Sequence, residues 1–79
     1  MLISEDKMRE LLALLLKMEA KNIYPSTSLR HDLFLDDIDL KLLISALELR
    51  TGVYLSDEEA SSIDTVQDLT YNLQRRAAA

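Results

Sequence analysis

Apolar residues recur at helical spacing in three stretches of the chain, and each stretch is opened by hydroxyl or acidic side chains. Ser4, followed by Glu5 and Asp6, supplies an oxygen for the orphan amides of a helix start and negative charge against its positive end. Met8, Leu11, Leu12, Leu15 and Met18 then follow at intervals of three and four, which predicts one buried stripe on a helix running to about Ala20. Leu14 and Leu16 widen the apolar arc, so this helix is expected to pack on more than one side.

Residues 21–28 read as a connector. Pro25 blocks a regular helix, and Asn22, Ser26, Thr27 and Ser28 favour turns. Ile23 and Tyr24 are expected to tuck back onto the core, with Leu29 and Leu33 anchoring the rest of the loop. A second helix starts at Asp36-Asp37-Ile38-Asp39, with either of the first two aspartates as its cap. Leu40, Leu43, Ile44 and Leu47 give it a core face, and Gly52 suits its stop. Val53, Tyr54 and Leu55 read as extended. Ser56-Asp57-Glu58-Glu59 is a capping box for a short third helix. Asp64-Thr65-Val66-Gln67 reads as another such start, and Val66, Leu69 and Leu73 form the stripe of the last helix. The expected fold is all-α: four helices, a long loop after the first and a short third. Residues 1–74 form one domain, and 75–79 are expected to be a frayed tail.

Composition supports that reading and narrows the chemistry. Seventy-nine residues suffice for one small core. With one Gly and one Pro the chain has few hairpin turns to offer, and with four aromatic residues its core must be built from leucine. The formal charge of −5 argues against nucleic acid as a partner. Much of the acidity is concentrated at 36–39 and 57–59. The absence of cysteine excludes disulfides, a Cys-based metal site and a Cys nucleophile. The leucine-rich run 11–16 is too short to span a bilayer, so a soluble cytoplasmic protein is expected. His31 beside Asp32 lacks a nucleophile and reads as a loop histidine. Asp36, Asp37 and Asp39 lack the spacing of a calcium loop, so no metal site is expected. No catalytic residue is assigned, and an enzyme is not expected.

One run carries more specific information. Leu33-Phe34-Leu35-Asp36-Asp37-Ile38-Asp39, followed by a helix containing Ala46-Leu47-Glu48, resembles the attachment motif of the acyl and peptidyl carrier proteins, Asp-Ser-Leu before a helix ending in Ala-Leu-Glu. Ser28-Leu29-Arg30-His31-Asp32-Leu33 resembles the family's approach to that motif. Ser56-Asp57-Glu58-Glu59-Ala60 is similar to its Pro-Asp-Glu-Glu-Ala, and Ile63-Asp64-Thr65-Val66-Gln67 to its Ile-Thr-Thr-Val-Gln. The resemblance covers about residues 28–73 and implies an acyl-carrier-protein-like four-helix bundle.

In that family the serine carries a phosphopantetheine arm, whereas Asp37 stands at the matching position. A phosphopantetheinyl transferase needs a hydroxyl to attack the pyrophosphate of coenzyme A. A carboxylate would give a labile acyl phosphate, so phosphopantetheine is expected of the family but not loadable at Asp37. Asp37 reads as a helix cap left behind, or as a mimic of the missing phosphate. An engineered Ser→Asp knock-out would leave the neighbouring departures unexplained. Phe34 and Leu35 replace the family's common Gly and Ala, and Leu42 and Leu49, with Ser45 between them, occupy positions where fatty-acid carriers bear docking glutamates.

Phe34, Leu35, Asp36, Ile38, Leu42, Ser45 and Leu49 are therefore the candidate partner-binding residues. Leu42 and Leu49 either join a thicker core or form an exposed strip suited to a homodimer or a protein partner. Two functional readings follow. One is a carrier fold kept for protein contacts in fatty-acid, lipid or secondary-metabolite assembly. The other is a true carrier, loaded at Ser45 or Ser28 or bearing Ser at position 37 in its natural form.

Overall fold

The computed structural model describes residues 3–78; Met1, Leu2 and Ala79, the last residue of the expected tail, lie outside the described residues. Four α-helices form among them: α1 (Glu5–Leu16), α2 (Asp37–Thr51), α3 (Asp57–Ser61) and α4 (Val66–Ala78), with a single 3-10 turn at Ala20–Asn22. The order, the long loop after α1 and the brevity of α3 are those the sequence predicts.

Each start has a local cause. Ser4 accepts from the Lys7 amide at 3.0 Å to open α1. At α2 the cap is Asp36, whose carboxylate accepts from the Asp39 amide while Asp39 accepts from the Asp36 amide. Ser56 and Glu59 form the same reciprocal box at α3, which satisfies two amides that would otherwise face water unpaired. The start of α4 lies one residue later than the sequence reading. Thr65 accepts from the Asp68 amide, and the Asp68 carboxylate accepts from the amides of Thr65 and Asp64. Thr65 with Asp68, rather than Asp64 with Gln67, makes the box.

Helix α1 is shorter than its apolar pattern suggests. Lys17 adopts a left-handed conformation (φ 56°), and its amide and that of Met18 both turn back to the Ala13 carbonyl. This is a glycine-type stop made by a lysine. Leu14 is 60% exposed, so α1 does not pack all round. Leu16 does reach the core edge. Tyr24 also departs from expectation and faces solvent, while Ile23 is fully buried. Helix α4 continues through Arg75 and Arg76 to Ala78, where a tail was expected.

The core is aliphatic. Met8 and Leu12 of α1, Leu40, Leu43, Ile44 and Leu47 of α2, and Val66, Leu69 and Leu73 of α4 meet Ile3, Ile23, Leu29 and Ile63 from the connecting segments. The loop between α1 and α2 is held against the start of α4. Leu29 donates to Asp64, Val66 to Thr27 and Gln67 to Pro25, all through backbone groups at 2.8–3.0 Å. These bonds anchor the loop that delivers the chain to the N-terminus of α2.

Glu59 links two helices. It completes the α3 box and takes ion pairs from Arg75 and Arg76 of α4, each at 3.0 Å. Its carboxyl is held down to about 2, from an ordinary value of 4.5, chiefly by the Ser56 amide it accepts from, with the Ser56 hydroxyl and the two arginines adding to the effect. Asp68 is lowered in the same way by the Thr65 and Asp64 amides. A carboxylate whose folded pKa is depressed stabilises the fold above its unfolded pKa and loses that contribution as pH falls through the folded value. Stability should therefore decline between about pH 4.5 and pH 2. Glu59→Gln should be less stable than the parent at pH 7, and the gap should close toward pH 2. Urea unfolding across that pH range tests this, and a gap independent of pH would refute it.

Candidate functional site

The loop 28–35 brings the attachment-like motif to the head of α2. Ser28 is the fulcrum. Its amide donates to Asp32 at 2.7 Å, its hydroxyl donates to Asp64 at 3.0 Å and accepts from the His31 amide. The Asp32 carboxylate is thus spent on the loop, and His31 is exposed beside it. Leu35 closes the loop by donating to the Leu29 carbonyl and packs partly against the core. Leu35 is therefore a partly buried anchor, unlike its exposed neighbours.

Phe34 stands out. It has φ 58° and is 83% exposed. A side chain in the left-handed region costs about 1–2 kcal/mol, and this is a position where the resembled family commonly has glycine. The left-handed backbone at Phe34 is one that glycine adopts without strain. The sequence held that signal: an apolar aromatic at an expected glycine.

Asp37 occupies the first turn of α2 and is 79% exposed. It caps no amide, since Asp36 does that work; its carboxylate instead pairs with Arg30 from the approach loop. The view of Asp37 as a leftover cap is accordingly corrected to an ion-paired first-turn aspartate. Arg30 was not singled out in the sequence, because nothing in its spacing predicts a partner seven residues away across a loop.

The rest of the candidate surface lies along α2. Ile38, Leu42 and Leu49 are 70%, 65% and 79% exposed, and Ser45 is exposed between them. At about 100° per residue these four share one face, opposite the core face of Leu40, Leu43, Ile44 and Leu47. That decides between the two readings of Leu42 and Leu49: they form an exposed strip and take no part in the core. The structure thus brings Ile38, Leu42, Ser45 and Leu49 onto one face, with Phe34, Asp36 and Asp37 at its N-terminal end. Beside them an open groove of about 660 Å³ runs between α2 and α3, lined by Arg30, Asp37, Lys41, Ser45 and Glu48 among others. Glu48 is fixed there by the Leu55 amide, at 2.8 Å. No group of three metal-ligating side chains occurs among the described residues, and no helix among them is long and apolar enough to cross a membrane.

Four helices with this loop, this cap and a motif at the head of α2 define a carrier-protein fold. The family model described as "Phosphopantetheine attachment site" matches residues 6–70, and the chain belongs to that family. The match takes in most of α1, beyond the stretch where the motif resemblance is legible. The chain is 35% identical over 74 residues to an acyl carrier protein of Thermosynechococcus vestitus, covering 94% of this chain and 91% of that protein. To an acyl carrier protein of Solidesulfovibrio magneticus it is 34% identical over 71 residues, covering 90% and 91%. A solved structure described as a candidate acyl carrier protein of Mycobacterium tuberculosis superposes with a TM-score of 0.76 at 26% identity, covering 86% of this chain and 90% of that one.

Proposed function

We propose that this member of the carrier family works through protein contacts, without an arm at Asp37, in a cytoplasmic pathway that builds fatty acids, lipids or secondary metabolites. It has no catalytic role in this reading. The observation that supports it most directly is the chemistry at the head of α2. The position that should present a hydroxyl presents a carboxylate ion-paired with Arg30, and carboxylate oxygen is not a fit for a stable phosphodiester to phosphopantetheine. The nearest hydroxyl along the same face is Ser45, two helical turns away. Ser28 is buried and committed to Asp64 and His31, which weighs against loading there. The exposed residues Phe34, Asp36, Ile38, Leu42, Ser45 and Leu49 are the proposed contact surface, with Leu35 supporting the loop beneath.

The full chain, expressed with a competent phosphopantetheinyl transferase and coenzyme A, should keep its unmodified intact mass. A stoichiometric gain of one phosphopantetheine would overturn the reading. Peptide mapping would then tell loading at Ser45 from loading elsewhere.

A further inference from the structure

We infer that the exposed face of α2 is a self-complementary seam on which a second copy of this chain docks antiparallel. The inference rests on the contact role proposed above and names the partner. Ile38, Leu42, Ser45 and Leu49 are spaced four, three and four residues apart, a pattern symmetric about the point between Leu43 and Ile44. A two-fold interface sets the same patch of both copies against itself. Run antiparallel to itself, this face brings Ile38 opposite Leu49 of the second copy. It also brings Leu42 opposite Ser45, where the small serine leaves a hole for the leucine knob.

The flank of the seam carries matching charge. Lys41 and Glu48 lie on the same side of the strip, at roughly −60° and −80° from Ile38 at 100° per residue. In an antiparallel pair the same flanks meet, so Lys41 lies about two residues, roughly 3 Å along the axis, from Glu48 of the second copy, within reach of its long side chain and twice over by symmetry. Lys41 is exposed and has no ion-pair partner among the described residues. Glu48 is already aimed by the Leu55 amide through one carboxylate oxygen, leaving the other to accept. Phe34 and Tyr54, both well exposed, stand three residues before and three after α2, so an exposed aromatic residue lies just beyond each end of the helix.

The seam is short: the eleven steps from Ile38 to Leu49 rise roughly 16 Å. One helix face falls below the roughly 800 Å² per partner of a stable interface. A dimer with Kd on the order of 10⁻⁴ M is therefore expected.

Sedimentation velocity of the full chain from micromolar to millimolar concentration tests this. The parent should move from monomer to dimer across that range, and Leu42→Asp should stay monomeric. Lys41→Glu and Glu48→Lys should each weaken association roughly tenfold, because each sets two like charges together in its own homodimer. An equimolar mixture of the two should recover it, since the mixed dimer restores both pairs. Circular dichroism checks that each variant is folded. Should Glu48→Lys lose helix with its bond to Leu55, Lys41→Glu and Leu42→Asp decide alone. A parent monomeric at millimolar concentration overturns the inference, as does unchanged association of Leu42→Asp or a folded mixture that fails to recover. The contact role fails separately, by the mass of a loaded arm; an unloaded monomer would remove only the second copy as occupant.

Discussion

Leu47→Ala should cost this protein about 3 kcal/mol of stability, while Leu49→Ala, two residues on in the same helix, should change it by less than about 0.5 kcal/mol. The two leucines differ only in direction. Leu47 is 0% exposed and Leu49 is 79% exposed. Truncating Leu47 removes three buried carbons and leaves a cavity among side chains of α1, α2 and α4 that can collapse only in part. Truncating Leu49 returns a solvated side chain to solvent and puts alanine, a slightly better helix former, in its place. A domain of this length has a net stability of only about 4–12 kcal/mol, so the first change should consume a large share of it. Urea unfolding at micromolar protein, below the concentration at which copies pair, compares the two. Equal losses would mean that the outer face of α2 is covered within the monomer.

That contrast marks where the fold was legible. Helix α2 is apolar on two opposite faces, so periodicity alone could not say which leucines were core. The pattern Leu40, Leu43, Ile44, Leu47 could be read because it runs unbroken at three and four, and the structure buries all four. The capping box of α3 was legible because it is local, set by two residues three apart. The starts and stops that moved were set by choices among near-equivalent residues. Asp36 and Asp37 could both cap, Asp64 and Thr65 could both cap, and Lys17 ends α1 in a conformation that sequence usually entrusts to glycine. Arg75 and Arg76 looked like a tail because their partner, Glu59, is 16 and 17 residues away in sequence. The attachment-like motif at Asp37 was plain in sequence, and its pairing with Arg30 was not, because loop geometry decides which charge reaches it.

Asp37→Ser should let the chain take up an arm at position 37, slowly, and adding Phe34→Gly and Leu35→Ala should speed the loading. The serine restores the missing nucleophile at an exposed first-turn position. It also releases Arg30 from its carboxylate partner, leaving a guanidinium beside the site where the phosphate would form. Helix α2 should not suffer, because Asp36 and Asp39 hold its start without Asp37. What remains in the way is bulk: Phe34 is almost wholly exposed on a left-handed backbone that glycine adopts without strain. A modifying enzyme must close over this loop to deliver coenzyme A, and a phenyl ring there opposes that approach. Leu35 is a different case, since it packs partly on the core and its truncation should cost some stability. Intact mass followed over time with transferase and coenzyme A should rank the parent at zero, Asp37→Ser slow, and the triple variant faster. If the single variant loads as fast as the triple, Phe34 and Leu35 are no barrier and Asp37 alone separates this chain from a working carrier. If neither loads, the surface that receives the transferase has been lost more widely along α2, with Leu42 and Leu49 as the next residues to change.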